Sequence, residues 1–272
     1  PAMNFRMWQS QATQKSVGLI KKEHSVMIPE EGELASLHKG EGRLPELHDV
    51  MNELRNIMKI NTPLKNKKII VTAGPTVENI DPVRFISNKS SGKMGYAIAE
   101  QARDMGAAVT LISGPVALTE PSEMDVVNIN TASDMECAIR DNLDDIDIII
   151  MCAAVSDFTP KNVSTKKMKS TENEIKLLLV PTNDIVKEIA KDTNALIVAF
   201  ALETCAGINN AKNKLVDKNV DFIVLNHPND DGCGIGSNFN KVTIIDKKNN
   251  IIDVPKNRKD RIAKSILEAI LS

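Results

Sequence analysis

The feature that most constrains this chain is a rhythm that starts at Lys67 and runs to the C-terminal end. Short β-branched runs alternate with helix-length amphipathic stretches, and glycine or proline stands at the joints. Strands are expected over residues 68–72, 108–112, 126–129, 147–153, 195–201 and 222–225, with a strand-like stretch over 175–180. Helices are expected over 92–105, from a cap at Ser133 or Asp134 to about Leu143, and over 183–191, 207–218 and 258–271. Gly106 closes the first of these helices, as a helix C-terminus prefers. A hairpin is expected from 241–246 and 251–254. The run over 147–153 is nearly all apolar, the signature of a strand buried on both faces. Strands alternating with helices demand right-handed crossovers and a mostly parallel sheet. The fold class is therefore α/β, a doubly wound three-layer domain with an antiparallel hairpin near its C-terminal end. Ligands of such sheets bind outside the carboxyl ends of the strands.

Residues 1–64 lack this rhythm. They hold an apolar run over 25–28 ended by Pro29, and a segment over 31–44 rich in glycine and charge. A helix is expected over 45–58, where Leu47, Val50, Met51, Leu54 and Ile57 recur at three- and four-residue spacing, followed by a linker over 61–66. The chain opens on Pro-Ala-Met-Asn, which reads as the interior of a longer polypeptide.

Composition excludes several classes of function. The 34 basic and 36 acidic residues leave a formal net charge of -2, which offers no nucleic-acid surface. Aromatics make up 3% of the chain, too few for base-stacking platforms. Cys137, Cys152, Cys205 and Cys233 are widely spaced without a CxxC pair, so free thiols are expected rather than disulfides or structural zinc. No apolar run reaches the roughly 20 residues that span a bilayer, so a cytoplasmic protein with no membrane partner is expected.

The strand ends carry the candidate chemistry. Gly74, after the first strand, lets backbone amides approach a phosphate. No GxGxxG follows, and the second strand ends at Ser113-Gly114, where a carboxylate would hold an adenosine ribose. An NAD(P)-dependent oxidoreductase is therefore the weaker alternative. Ser90, Ser91, Gly92, Lys93 and Met94 gather hydroxyls, bare backbone and a cation at a helix N-terminus, where the dipole favours an anion. Asp157, at the mouth of the buried strand, can accept from an exocyclic amine or hold a divalent cation beside phosphates. Lys161, Lys166, Lys167 and Lys169 form a mobile cationic loop suited to closing over a triphosphate. Asn183, Asp184, Ile185 and Val186 open a helix at a comparable place, Phe200 sits in a strand, and Lys214 and Lys218 lie four apart on one helix face. Taken singly, each has a plain structural reading: a solvated loop, a cap, or a basic surface stripe.

Together and in this order the motifs resemble phosphopantothenoylcysteine synthetase, the C-terminal half of a bifunctional bacterial protein of coenzyme A biosynthesis. The resemblance spans residues 65–272. It rests on Val71-Thr-Ala-Gly-Pro-Thr-Val-Glu78, Asp81-Pro-Val-Arg84-Phe-Ile-Ser-Asn88-Lys-Ser-Ser-Gly-Lys-Met-Gly95, Ala153-Ala-Val-Ser-Asp-Phe158, Asn183-Asp-Ile-Val186 and Ala211-Lys-Asn-Lys-Leu-Val-Asp-Lys-Asn219. It implies a Rossmann-like fold and a ligase. The carboxylate of 4′-phosphopantothenate attacks the α-phosphate of CTP, giving an acyl-cytidylate and pyrophosphate, and the amine of cysteine then displaces CMP. It further implies Mg2+, a homodimer, Asn88 at the acyl-cytidylate, and a catalytic Lys167 from the closing loop. Asp157, with the backbone at Ala153 and Ala154, would read cytosine or hold the metal. Gly74, residues 90–94 and 183–186, Phe200, Lys214 and Lys218 would line the CTP site. Thr182-Asn183 departs from the family's Asn-Pro at that turn, and the eukaryotic branch favours ATP.

The first segment resembles the end of the partner flavoprotein, phosphopantothenoylcysteine decarboxylase. Pro1 to Trp8, with Asn4, resembles its substrate motif. Residues 33–44 resemble its active-site flap, with Ser36 where the family has cysteine. A hydroxyl is far less acidic than that thiol, and the FMN-binding part has no counterpart in these residues. No decarboxylation by this chain alone is expected.

Overall fold

The computed structural model describes residues 3–33, 39–58, 62–169, 176–202, 207–226, 230 and 232–272. They fall into two compact units, Pro1–Asn61 and Thr62–Ser272.

The first unit is more regular than its sequence suggests. Helices α1 (Phe5–Trp8) and α2 (Gln11–Ile20) precede strands β1 (Glu30–Glu33) and β2 (Lys39–Arg43), which pair antiparallel, and helix α3 (Leu47–Ile57) follows. Asn4 caps α1 by accepting from the Arg6 N–H at 2.9 Å, and Ser10 caps α2. These two caps are the local signals that the absence of a hydrophobic period obscured. Trp8 is buried. Ser36 lies outside the described residues.

The second unit begins with β3 (Lys68–Ala73), β4 (Val77–Asn79), β5 (Phe85–Ser87), α4 (Lys93–Asp104), β6 (Ala108–Ser113), β7 (Asp125–Asn128) and α5 (Ala132–Arg140). It continues with β8 (Ile148–Met151), β9 (Phe158–Pro160), β10 (Leu179–Pro181), α6 (Ile185–Asp192), β11 (Leu196–Leu202), α7 (Gly207–Asp217) and β12 (Phe222–Asn226). It ends with β13 (Phe239–Asp246), β14 (Ile251–Arg258) and α8 (Lys259–Ile270). The main sheet has eight strands in the order β14-β13-β12-β11-β8-β3-β6-β7. Neighbours from β7 to β12 are parallel, and β13 and β14 add antiparallel at one edge. The chain starts at the centre with β3, runs outward through β6 and β7, and returns to β8 on the other side. That reversal is the Rossmann strand order and opens a crevice between the ends of β3 and β8.

Period-two alternation divides the core into two layers. Ile69, Val71, Ile148 and Ile150 pack with Ile98 of α4 and Ile262 and Ile266 of α8. Ile70 and Ile149 face the other way, onto Met135 and Ile139 of α5, Ile189 of α6 and Leu215 of α7. Each fully buried isoleucine contributes about 1.5–3 kcal/mol by leaving water.

Several boundaries moved for physical reasons. Leu64, read as linker, is fully buried in the α4/α8 layer, and its N–H donates to the Met105 carbonyl at 3.1 Å. Thr131, not Ser133 or Asp134, caps α5. The Asp134 N–H donates to its hydroxyl at 3.1 Å, and the Asp134 carboxylate accepts the Thr131 N–H at 2.9 Å. The 147–153 run gives a strand only to Met151, because the N–H groups of Cys152 and Ala153 both turn to the Thr72 hydroxyl at 3.1 Å. Residues 77–87, for which no strand was expected, form the β4/β5 hairpin, and β10 pairs with β9 outside the main sheet. Among the described residues no helix is long and apolar enough to cross a membrane.

Candidate functional site

The reversal between β3 and β8 opens into a cavity of about 650 Å³. Two glycines make the close approach possible. At Gly95 a Cβ would fall 2.6 Å from the Ala73 Cβ, so α4 lies against β3 only because the side chain is absent. At Gly114 it would fall 1.7 Å from the Pro75 carbonyl oxygen, which locks the loop after β6 beneath the loop after β3. Gly92 precedes α4 at φ 72°, with no side chain capping the helix.

The loop after β8 is held by side chains that the sequence reading passed over. The Ser156 N–H donates to the Thr76 hydroxyl at 2.9 Å, and the Thr182 hydroxyl donates to the Ser156 carbonyl at 2.7 Å. The Asn88 amide spans the gap, donating to the Val155 carbonyl at 2.8 Å and leaning on Ala154 at 3.4 Å. The loop after β3 is thereby pinned to the loop after β8.

Most residues singled out from the sequence meet here. Asn88, Ser90, Ser91, Gly92, Lys93 and Met94 form one wall, Ala153, Ala154 and Asp157 the floor, and Asn183 to Val186, Phe200, Lys214 and Lys218 the opposite wall. Asp184 caps α6 by accepting from the Lys187 N–H at 3.2 Å, and the same oxygen pairs with the Lys218 ammonium at 3.0 Å. Asn183 donates to Glu136 at 3.2 Å.

Two residues are not brought to the cavity. Gly74 lies behind Gly92 at φ 75°, and its carbonyl accepts the Ala154 N–H at 2.8 Å, so it shapes the strand end without lining the space. Lys167 is exposed on a loop fastened elsewhere: the Ser164 N–H donates to the Ile80 carbonyl at 2.9 Å, and the Met168 N–H to Asp81 at 3.1 Å. Asp81 also accepts from the N–H groups of Val83 and Arg84 and from the Arg84 guanidinium at 2.7 Å. Burial pushes this carboxyl upward, but the donors at Met168, Val83 and Arg84 outweigh it and hold it at about 2.

The structure adds lining residues that the sequence reading missed: Lys89, Asn226, Cys233, Asn240 and Lys259. Lys259 opens α8 directly after the β13/β14 hairpin, and its position at a helix start was its one visible signal. Asn240 is buried and donates to Asn226 at 3.0 Å. Burial pushes the Cys152 thiol up to about 12, with Lys259 pulling weakly the other way. Five lysines (Lys89, Lys93, Lys214, Lys218 and Lys259) and two aspartates (Asp157 and Asp184) line the cavity. Within a low-dielectric crevice that excess focuses a positive field and calls for an anionic ligand.

Fold and site thus define a class: a doubly wound α/β domain with a cation-lined crevice at its strand reversal. The chain belongs to the family described as the DNA/pantothenate metabolism flavoprotein C-terminal domain, whose pattern matches residues 64–272. It is 40% identical over 275 residues to the coenzyme A biosynthesis bifunctional protein CoaBC of Bacillus subtilis (strain 168), covering 99% of this chain and 68% of that one. It is 43% identical over 280 residues to a protein named cysteine/cysteine sulfinic acid decarboxylase from an unknown prokaryotic organism, covering 100% of this chain and 78% of the other. Among solved structures, the C-terminal domain of a CoaBC protein superposes with a TM-score of 0.67 at 38% identity, covering 78% of this chain and 97% of that domain. Membership in this family does not favour the oxidoreductase alternative, although the strand order is the one many dinucleotide enzymes share.

Proposed function

We propose that this chain is a phosphopantothenate–cysteine ligase of coenzyme A biosynthesis that activates its acid substrate with CTP. The carrying observation is the crevice itself, where five lysines outnumber two aspartates around Asn88. In the first half-reaction a carboxylate oxygen of 4′-phosphopantothenate attacks the α-phosphorus of CTP. The bond to the β-phosphate oxygen breaks, and pyrophosphate leaves with its charge neutralised by lysine ammonium groups. In the second, the amine of cysteine adds to the acyl carbon and CMP departs with the bonding pair.

This chain's residues supply positioning and charge. Asn88 holds the two loops together beside the reacting acyl group. Lys214 and Lys218 grip the nucleotide phosphates, and the base lies against the backbone at Ala153 and Ala154. Among the described residues no cluster of three or more His, Cys, Asp or Glu side chains can cage a metal. The donor set fits magnesium that arrives on the nucleotide, with Asp157 as its protein ligand and phosphate oxygens and water as the rest. Magnesium there would neutralise phosphate charge. The catalytic role for Lys167 requires its loop to move or to serve a second copy. A homodimer is supported by exposed Val83, Phe85, Phe158, Val163 and Leu178 on and beside the contacting β4 and β9 hairpins. FMN chemistry is not assigned to these residues, and a cytoplasmic setting accords with the substrates.

The test supplies 4′-phosphopantothenate, cysteine, magnesium and CTP and follows CMP and pyrophosphate. Release of both, dependent on the acid, is expected. No release with either CTP or ATP sinks the reading, and faster release with ATP overturns the nucleotide assignment.

A further inference from the structure

The crevice carries a second cationic pair, Lys93 and Lys259, of which the nucleotide reading uses only Lys93. Lys93, at the start of α4, and Lys259, at the start of α8, line the main cavity and also the wall of an adjoining one of about 430 Å³. Lys93 is tethered: its ammonium donates to the Gly236 carbonyl and to the Asn238 side chain, both at 2.8 Å. The Lys259 backbone N–H donates to the Asn238 carbonyl at 2.9 Å, so one loop residue braces both lysines. The Lys259 ammonium has no hydrogen-bond or ion-pair partner among the described residues, although the side chain is half-buried. Lys214 projects instead from α7, and Lys218 follows the last residue of that helix, which packs on the other face of the sheet.

We propose that Lys259, together with Lys93, forms a phosphate-binding subsite on the α4/α8 side of the crevice, distinct from the one at Lys214 and Lys218. Two ammonium groups on one partly desolvated wall repel each other unless an anion lies between them. Among the described residues no carboxylate makes an ion pair with either ammonium: the carboxylates of the main cavity are Asp157 and Asp184, and Asp184 is engaged by Lys218. In the adjoining cavity Asp260 is paired with Arg258 at 3.0 Å, and Glu100 lines the wall without reaching ion-pair distance of Lys93 or Lys259. Burial, and secondarily the charge of Lys93, hold the Lys259 ammonium below its ordinary range, the strain that a bound phosphate relieves. The inference rests on the ligase reading for the source of the phosphate. That source is either the polyphosphate that becomes the leaving group or the phosphomonoester of the acid substrate.

Magnesium pyrophosphate and 4′-phosphopantothenate are titrated separately into the wild type, Lys259→Gln and Lys259→Arg, each checked for an unchanged melting temperature. One ligand is expected to lose about tenfold or more in affinity with Lys259→Gln and to recover to within about threefold with Lys259→Arg. Loss of pyrophosphate affinity assigns the polyphosphate, and loss of phosphopantothenate affinity assigns the monoester. Unchanged affinity for both ligands, or a loss that Lys259→Arg does not recover, overturns the subsite. Neither titration needs turnover, so a wild type that releases no CMP refutes the ligase reading while leaving the pyrophosphate result readable.

Discussion

On the α6/α7 side of the crevice Lys218 is neutralised before any ligand arrives, by an aspartate that also caps the neighbouring helix. On the α4/α8 side Lys259 stands half-buried beside Lys93, with no acid paired to it among the described residues. The first arrangement fixes a cation in place at little cost, because Asp184 answers its charge at 3.0 Å. The second leaves a desolvation penalty standing in the free protein. A wall that keeps such a penalty is preorganised for an anion, whereas a wall that has cancelled it is preorganised for geometry. One crevice thus holds two kinds of cationic site, which suits a reaction between two phosphate-bearing substrates.

The most severe challenge to this picture goes through the residue between the two sides. Asn88 donates to the loop after β8 and belongs to neither lysine pair. If the crevice is one reaction site, Asn88→Asp slows amide formation by about a hundredfold or more while the acyl-cytidylate accumulates. Rapid-quench analysis with labelled phosphopantothenate separates the two half-reactions. An equal loss in both would mean that Asn88 only braces the loops. The next effect is smaller and one-sided. Lys218→Met is expected to raise the KM for CTP about tenfold and leave that for phosphopantothenate unchanged. A rise in both KM values would erase the distinction between the sides.

How far the sequence foretold this arrangement follows from which signals are local. The buried run at Ile148 to Met151 and the periodic helices announced the sheet and its layers, because burial on two faces leaves an unbroken apolar string. The Ser90 to Met94 run announced a helix start, and its neighbours in space were found by order along the chain. Lys259 showed only its place at a helix start, since nothing in Arg258-Lys-Asp says that α8 will lie beside α4. Asn240 was equally silent, because its partner Asn226 is on the next strand. The β4/β5 hairpin was hidden for another reason: its strands have three residues each, too few for alternation to register. Gly74 and Lys167 carried persuasive local chemistry, yet tertiary contacts at Gly92 and Asp81 hold them away from the cavity.

The comparison also assumes that the α4/α8 side is poorly solvated, and Cys152 reports on that directly. Burial pushes its thiol up to about 12, so at pH 8 it is almost wholly protonated. Iodoacetamide should therefore alkylate exposed Cys137 more than about tenfold faster than Cys152, as read by peptide mass spectrometry. Equal rates would show that water reaches that wall, and the penalty ascribed to Lys259 would fall with it.

The smallest effect concerns Asp81, whose carboxylate secures the lysine loop apart from both sides of the crevice. Its carboxyl is held at about 2 against an ordinary value of 3.8. A carboxyl depressed on folding stabilises the folded state at pH values above its unfolded pKa, and the contribution is lost as pH falls through the folded one. The stability difference between the wild type and Asp81→Asn should therefore be constant above about pH 5 and shrink as pH drops from 4 toward 2. Urea midpoints across that range measure it. The nucleotide KM should change far less than in Lys218→Met, because the Asp81 clamp organises a third cationic region that does not line the cavity. A KM shift as large as that of Lys218→Met would bring the lysine loop into the reaction and turn a two-sided crevice into a three-sided one.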